Sequence, residues 1–179
     1  MNQSRRLFSF DAETNGLWGQ AFAIGALVFQ DDVEVARFVG RCPIEGEIDS
    51  WVAENVIPQV TVIPVSQDSY ERLLADFAKF YLAEKADADL VVHMGVPVES
   101  KVLLDMHSLG LIGDWDGPYP LYDLSGFLAQ VGEDPTSVDG YVGKHGIVLP
   151  CEYDGGTHNP LYDSEVAARV LMHLRHRQP

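Results

Sequence analysis

The sequence predicts an α/β domain built on a mixed five-stranded sheet. Two observations carry that expectation: three strand-like runs come first, linked by tight turns, and the later strand-like runs alternate with segments of helical period. No internal repeat, low-complexity stretch or long linker divides the chain, so residues 1–179 read as a single domain.

Taken in order, Leu7–Asp11, Ala21–Phe29 and Glu34–Arg41 read as strands, with Asn15-Gly16 and Asp31-Asp32 supplying the turns of an antiparallel meander. Ile48–Val65 contains Pro58 and Pro64 and predicts a short helix and a loop. From Ser69 to Glu84 the apolar residues Tyr70, Leu73, Leu74, Phe77, Ala78 and Tyr81 follow helical spacing. Asp89–His93 is a short buried strand, and the helix after it has Pro97 in its first turn and Gly110 as its stop. A Gly/Pro-rich loop leads to "YPLYDLSGFLAQVG", a further strand and short helix. The last helix starts at Asn159-Pro160, a cap residue followed by proline at the first helical position, and runs to about His176.

Composition narrows the function classes. With 46% hydrophobic residues the chain can bury a sizeable core. No apolar run approaches the roughly 20 residues of a membrane span, and MNQSRRLF lacks the features of a secretory leader, so the expected setting is cytoplasmic. Cys42 and Cys151 form no CxxC pair, and no histidine stands at zinc-finger spacing from them; two buried thiols are expected. Against 12 Lys plus Arg stand 27 acids, giving a net charge of −15 and a pI near 4.5. Affinity for a nucleic-acid backbone comes from Lys and Arg displacing counterions, so such a chain suits a short or single-stranded nucleic acid, or none.

Four acids stand apart from that solvated excess. Asp11 and Glu13 follow an apolar strand two residues apart, so they share a face if the chain stays extended past Asp11. Glu99 lies three, four and seven residues before Val102, Leu103 and Met106, and Asp163 precedes Val166, Ala167, Val170 and Leu171 at the corresponding spacings. Both should point inward. Asp105, about 240° around its helix from Glu99, should face away. Inward carboxylates are costly without a partner; Lys101 and Arg169 lie off the two stripes, and a divalent cation can satisfy several acids together. Asp11, Glu13, Glu99 and Asp163 thus form a candidate oxygen-ligand site for Mg²⁺ or Mn²⁺. Each acid alone also reads as a solvated turn residue or as a first-turn partner of a helix dipole. His158, just outside the last helix, is placed to take a proton beside such a site. His93 reads as a histidine bonded to backbone, and His107, His145, His173 and His176 lack a comparable placement.

These residues resemble the DEDDh branch of the DnaQ-like 3′–5′ exonucleases, built on the ribonuclease H-like fold. The first motif of that family looks like "FDAETNGL" followed by "AIGALVF", and the third looks like "HNPLYDSEVAARVL", with four residues between His158 and Asp163. The second motif departs from the pattern, offering Glu99 where the family usually carries aspartate. The resemblance implies hydrolysis of phosphodiesters from a 3′ end with two ions of Mg²⁺ or Mn²⁺. Asp11 would bridge both ions, Glu13, Glu99 and Asp163 would complete the site, and His158 would act as general base. Gly16 and Leu17 would meet the terminal nucleotide, and Trp18 could stack on a base or pack the loop. Homodimers occur among similar small exonucleases.

Three functions stay open at this point: an exonuclease for short or single-stranded nucleic acid, RNA slightly ahead of DNA; a related module that binds metal and strand ends but cleaves inefficiently because of Glu99; and an acidic interaction domain with no nucleic-acid ligand.

Overall fold

The computed structural model describes residues 6–149 and 156–177. Its central strand β1 (Arg6–Thr14) pairs antiparallel with β2 (Ala21–Gln30), and β2 with β3 (Val33–Arg41). On the other side β1 pairs in parallel with β4 (Ala88–Val92), and β4 with β5 (Leu121–Asp123), giving the order β3-β2-β1-β4-β5. The expected mixed sheet is present. The two-residue connection of β2 to β3 has positive φ at both Asp31 (49°) and Asp32 (67°). A hairpin loop that matches strand twist needs that conformation, and aspartate tolerates it.

β1 runs three residues further than the sequence suggested, because its ladder with β2 continues through Glu13↔Ala23 to Thr14↔Ala21. Register slips between Glu13 and Thr14, an irregularity of the kind that re-aims side chains at strand ends.

Alternation sorts the sheet into two cores. Phe8, Phe10 and Ala12 of β1 join Phe22, Ile24, Ala26 and Val28 of β2 beneath α3 (Tyr70–Glu84) and α4 (Val98–Ser108). Leu7, Leu27, Phe29 and Val91 lie in the second core with α5 (Leu124–Gln130), α6 (Val138–His145) and α7 (Pro160–His176). Asp11 and Glu13 share the parity of Leu7, and so the α7 face.

Between β3 and α3 the chain forms two short helices, α1 (Ser50–Asn55) and α2 (Ile57–Val60), where one helix and a loop were expected; Pro58 falls in the first turn of α2, where a missing N–H costs nothing. Helix α6 was not foreseen either. Cys42 is a buried free thiol, and Cys151 lies outside the described residues. Among the described residues no helix is long and apolar enough to cross a membrane.

Candidate metal centre

The acids of β1 and α7 meet because of one glycine. Gly25 of β2 stands directly across from Asp11 in the ladder. A Cβ there would lie 2.5 Å from the backbone N of Leu161 and the carbonyl carbon of Pro160, so the first turn of α7 rests directly on β2. The Asn159 side chain caps that turn by accepting from Leu161 N–H at 3.1 Å, and Ser164 Oγ donates to the Gly25 carbonyl at 3.1 Å. Asp163 is thereby delivered beside β1: one carboxylate oxygen from each of Asp11, Glu13 and Asp163 lies within 4.8 Å of the other two.

Glu99 is buried, as its spacing predicts, with Val102 and Met106 on the same face of α4. It is not one of the three carboxylates that converge within 4.8 Å, but it lines the same cleft and is the foremost of the charges acting on Asp11. β4 pairs with β1 no further than Ser9↔Val91, and Glu99 Oε1 accepts the N–H of Ala12 at 3.1 Å just beyond that point. Asp105 does face away, accepting from the Tyr70 hydroxyl and from Lys101 Nζ.

Burial and mutual repulsion make these acids hard to ionise. Asp11 is raised well above the ordinary carboxyl range by burial and by the charges of Glu99, Asp163 and Glu13. Burial pushes Glu13 up to about 7 and Glu99 up to about 8, the latter against the lowering effect of its backbone hydrogen bonds. Asp163 is raised by burial and by Glu13, partly offset by the N–H of His158, which donates to its Oδ2 at 2.8 Å. The acids line a cleft of about 320 Å³ together with His93, Met94, Val98, Thr136, Ser137, Asp139, Thr157 and His158; none of the described lining residues is a lysine or arginine. A hard divalent cation fits this all-oxygen donor set, since it would supply the positive charge that none of the described lining residues provides as lysine or arginine.

His158 sits at the rim, its Nδ1 3.9 Å from Glu13 Oε2 and its ring edge-on to Trp51 at 5.4 Å. Burial lowers its pKa, which favours the neutral, proton-accepting ring. His93 bonds through Nε2 to the backbone carbonyl of Pro135 at 2.9 Å. Gly16, Leu17 and Trp18 are not among the cleft-lining residues. They occupy the turn after β1, closed by Asn15 N–H to the Gln20 carbonyl, with Leu17 and Trp18 exposed and Gly16 at φ 77°.

Two residues at this site escaped the sequence reading. Asp139 of α6 accepts from Thr157 Oγ1 at 3.0 Å and from the Tyr162 hydroxyl at 3.2 Å. Trp51 of α1 reaches His158 because the turn after β1 is bolted to the start of α1, Asn15 bonding Glu47 and Asp49. For α6 and Asp139 the available signals were Ser137 as a capping residue and, at the other end, Lys144 and His145 followed by Gly146.

No protein-family profile matches the chain, and no curated protein matches it. Among solved structures the fold is similar to Exonuclease X in complex with 5′ overhanging duplex DNA, at a TM-score of 0.67 and 16% identity, over 95% of this chain and 91% of that one. At that identity the likeness establishes a shared fold, the ribonuclease H-like arrangement of a mixed sheet between helices.

Proposed function

We propose that the chain is a metal-dependent 3′–5′ exonuclease acting on short or single-stranded nucleic acid. The observation that carries this reading is the convergence of Asp11, Glu13 and Asp163 within 4.8 Å of one another, in a cleft that also presents His158. Those three acids, with Glu99 at the end of the sheet, would hold Mg²⁺ or Mn²⁺. Bound there, two cations would neutralise the carboxylates and stabilise the charge that develops on attacking and leaving oxygens in phosphodiester hydrolysis. The rest falls to the protein: the cleft orients the strand end, and His158, kept neutral by burial, accepts the proton of the attacking water on its imidazole nitrogen. The absence of lysine and arginine from the described cleft wall supports a short substrate, because each additional backbone phosphate would face carboxylates without a basic partner. RNA is slightly favoured over DNA, and the assay on both polymers decides between them.

Incubation of 5′-labelled RNA and DNA oligonucleotides with Mg²⁺ or Mn²⁺ should give stepwise shortening from the 3′ end. Asp11→Ala should abolish it, and His158→Ala should slow it by about 10²- to 10⁴-fold. Wild-type inactivity on both polymers with both ions would overturn the proposal.

The position of Glu99 favours a second reading, a module that binds metal and strand ends without efficient cleavage, since its carboxylate is engaged by Ala12 N–H and lies outside the close triad. Binding without turnover, and turnover gained in Glu99→Asp, would select it.

A further inference from the structure

His158 is held in an unusual way. Its backbone has φ 69°, a left-handed conformation uncommon outside glycine. Among the described residues no side chain hydrogen-bonds its ring; the Trp51 ring lies edge-on to it and Glu13 Oε2 stands 3.9 Å from its Nδ1, while the backbone that carries it is tied on both sides. On one side the His158 N–H is tied to Asp163 Oδ2 at 2.8 Å. On the other, the preceding Thr157 donates its hydroxyl to Asp139 Oδ2 at 3.0 Å. The second oxygen of Asp139 receives the hydroxyl of Tyr162, in the first turn of α7, at 3.2 Å. A single carboxylate on α6 thus grips the chain on both sides of His158.

Resting on the exonuclease reading for its catalytic consequence, we propose that Asp139 is a positioning residue: through Thr157 and Tyr162 it fixes the turn that carries His158 over the acid cluster. The geometry favours this over simple helix stabilisation. Asp139 lies in the first turn of α6, where any acid would serve the helix dipole, but both of its oxygens are spent on residues outside α6 and the helix is capped by Ser137 instead. It is exposed to the cleft, so its removal opens no cavity in either core.

Two measurements test the proposal, using Asp139→Ala, Thr157→Val and Thr157→Ser. The first is turnover of a 5′-labelled oligonucleotide with Mn²⁺. Asp139→Ala and Thr157→Val should each lower kcat by about 10- to 100-fold with KM changed less than about threefold, the cost of misplacing a proton acceptor rather than of losing binding. The two together should be little worse than the slower single variant, because they cut the same tether. Thr157→Ser, which keeps the hydroxyl, should restore the wild-type rate. The second is the NMR shift of the His158 ring protons, assigned with His158→Ala, which the edge-on Trp51 ring displaces from the free-histidine value. That displacement should collapse in Asp139→Ala and Thr157→Val and survive in Thr157→Ser. Unmoved His158 signals, or a rate loss carried by KM, would overturn the proposal. If no oligonucleotide is cleaved by the wild type, the exonuclease reading fails, while the NMR comparison still decides the tether.

Discussion

Replacing Glu13 by glutamine should stabilise the metal-free protein at mildly alkaline pH. Burial moves the Glu13 carboxyl from its ordinary 4.5 up to about 7. The folded state therefore holds this proton more tightly than the unfolded chain. The resulting stability is full below the unfolded value of 4.5 and is lost as pH rises through about 7. Above that point the fold carries an ionised carboxylate packed beside Asp11 and Asp163, at a cost of about 3 kcal/mol relative to the protonated form. Glutamine keeps the shape and removes the charge, so about 3 kcal/mol is the ceiling of the gain, or roughly 6–12 °C in Tm for a chain of this size. His158 works the other way: its lowered pKa gives stability that is present above its ordinary 6.5 and lost as pH falls, so the difference between variant and wild type is the quantity to read. Thermal melts in chelator at about pH 5.5 and about pH 8 should show that difference widening with pH. Adding Mn²⁺ should narrow or reverse it, since the cation offsets the same charge in the wild type. A variant that melts below the wild type at the higher pH in chelator would refute the electrostatic account of the site.

Three further outcomes follow. Gly25→Ala should cost about 1–3 kcal/mol or more in denaturant unfolding, because its Cβ would meet the backbone of Pro160 and Leu161, and metal affinity should fall as Asp163 is displaced. Gly126→Ala, inside α5 with nothing within 4 Å of the added carbon, should by contrast be neutral or stabilising by up to about 1 kcal/mol. Oligonucleotide binding should depend weakly on salt, with a log–log slope shallower than about −1, because the described cleft wall carries no lysine or arginine; a steep slope would point to a basic track elsewhere on the chain.

The parts of this site that were legible in the sequence are those set by local periodicity. Alternation placed Asp11 and Glu13 on one face, and helical spacing turned Glu99 and Asp163 inward, because each acid sits on an element whose apolar pattern fixes its orientation. The Asn159-Pro160 start of α7 was readable for the same reason, being a capping signal within a few residues. What was hidden depends on contacts distant in sequence. Helix α6 is eight residues long with glycines at 140 and 143, so neither propensity nor stripe announces it, and Asp139 reads there as one more surface acid. Trp51 belongs to a proline-interrupted stretch whose docking beside His158 depends on Asn15 bonding across more than thirty residues. The motif resemblance implies substrate contact for Gly16, Leu17 and Trp18; the structure sets them on the turn after β1, outside the cleft lining, with Leu17 and Trp18 exposed, and that contact stays a proposal for the oligonucleotide assay.

Glu99 is where fold and chemistry bear on each other most directly. Its longer side chain looks from sequence like a weakened metal ligand, yet in the structure that length serves a reach. Helix α4 lies on the core opposite α7, and β4 has parted from β1 beyond Ser9, so the N–H of Ala12 has no strand partner there and takes Glu99 Oε1 instead. Shortening the side chain by one methylene would withdraw the acceptor and leave a buried N–H unpaired, at a cost of about 1–3 kcal/mol. The two functional readings therefore predict opposite results for one variant. If Glu99 is the residue this backbone requires, Glu99→Asp should lose stability and lower turnover together. If its length blunts the metal site, the same change should lose stability but raise turnover, and measuring both quantities on one preparation separates the enzyme from the binding module.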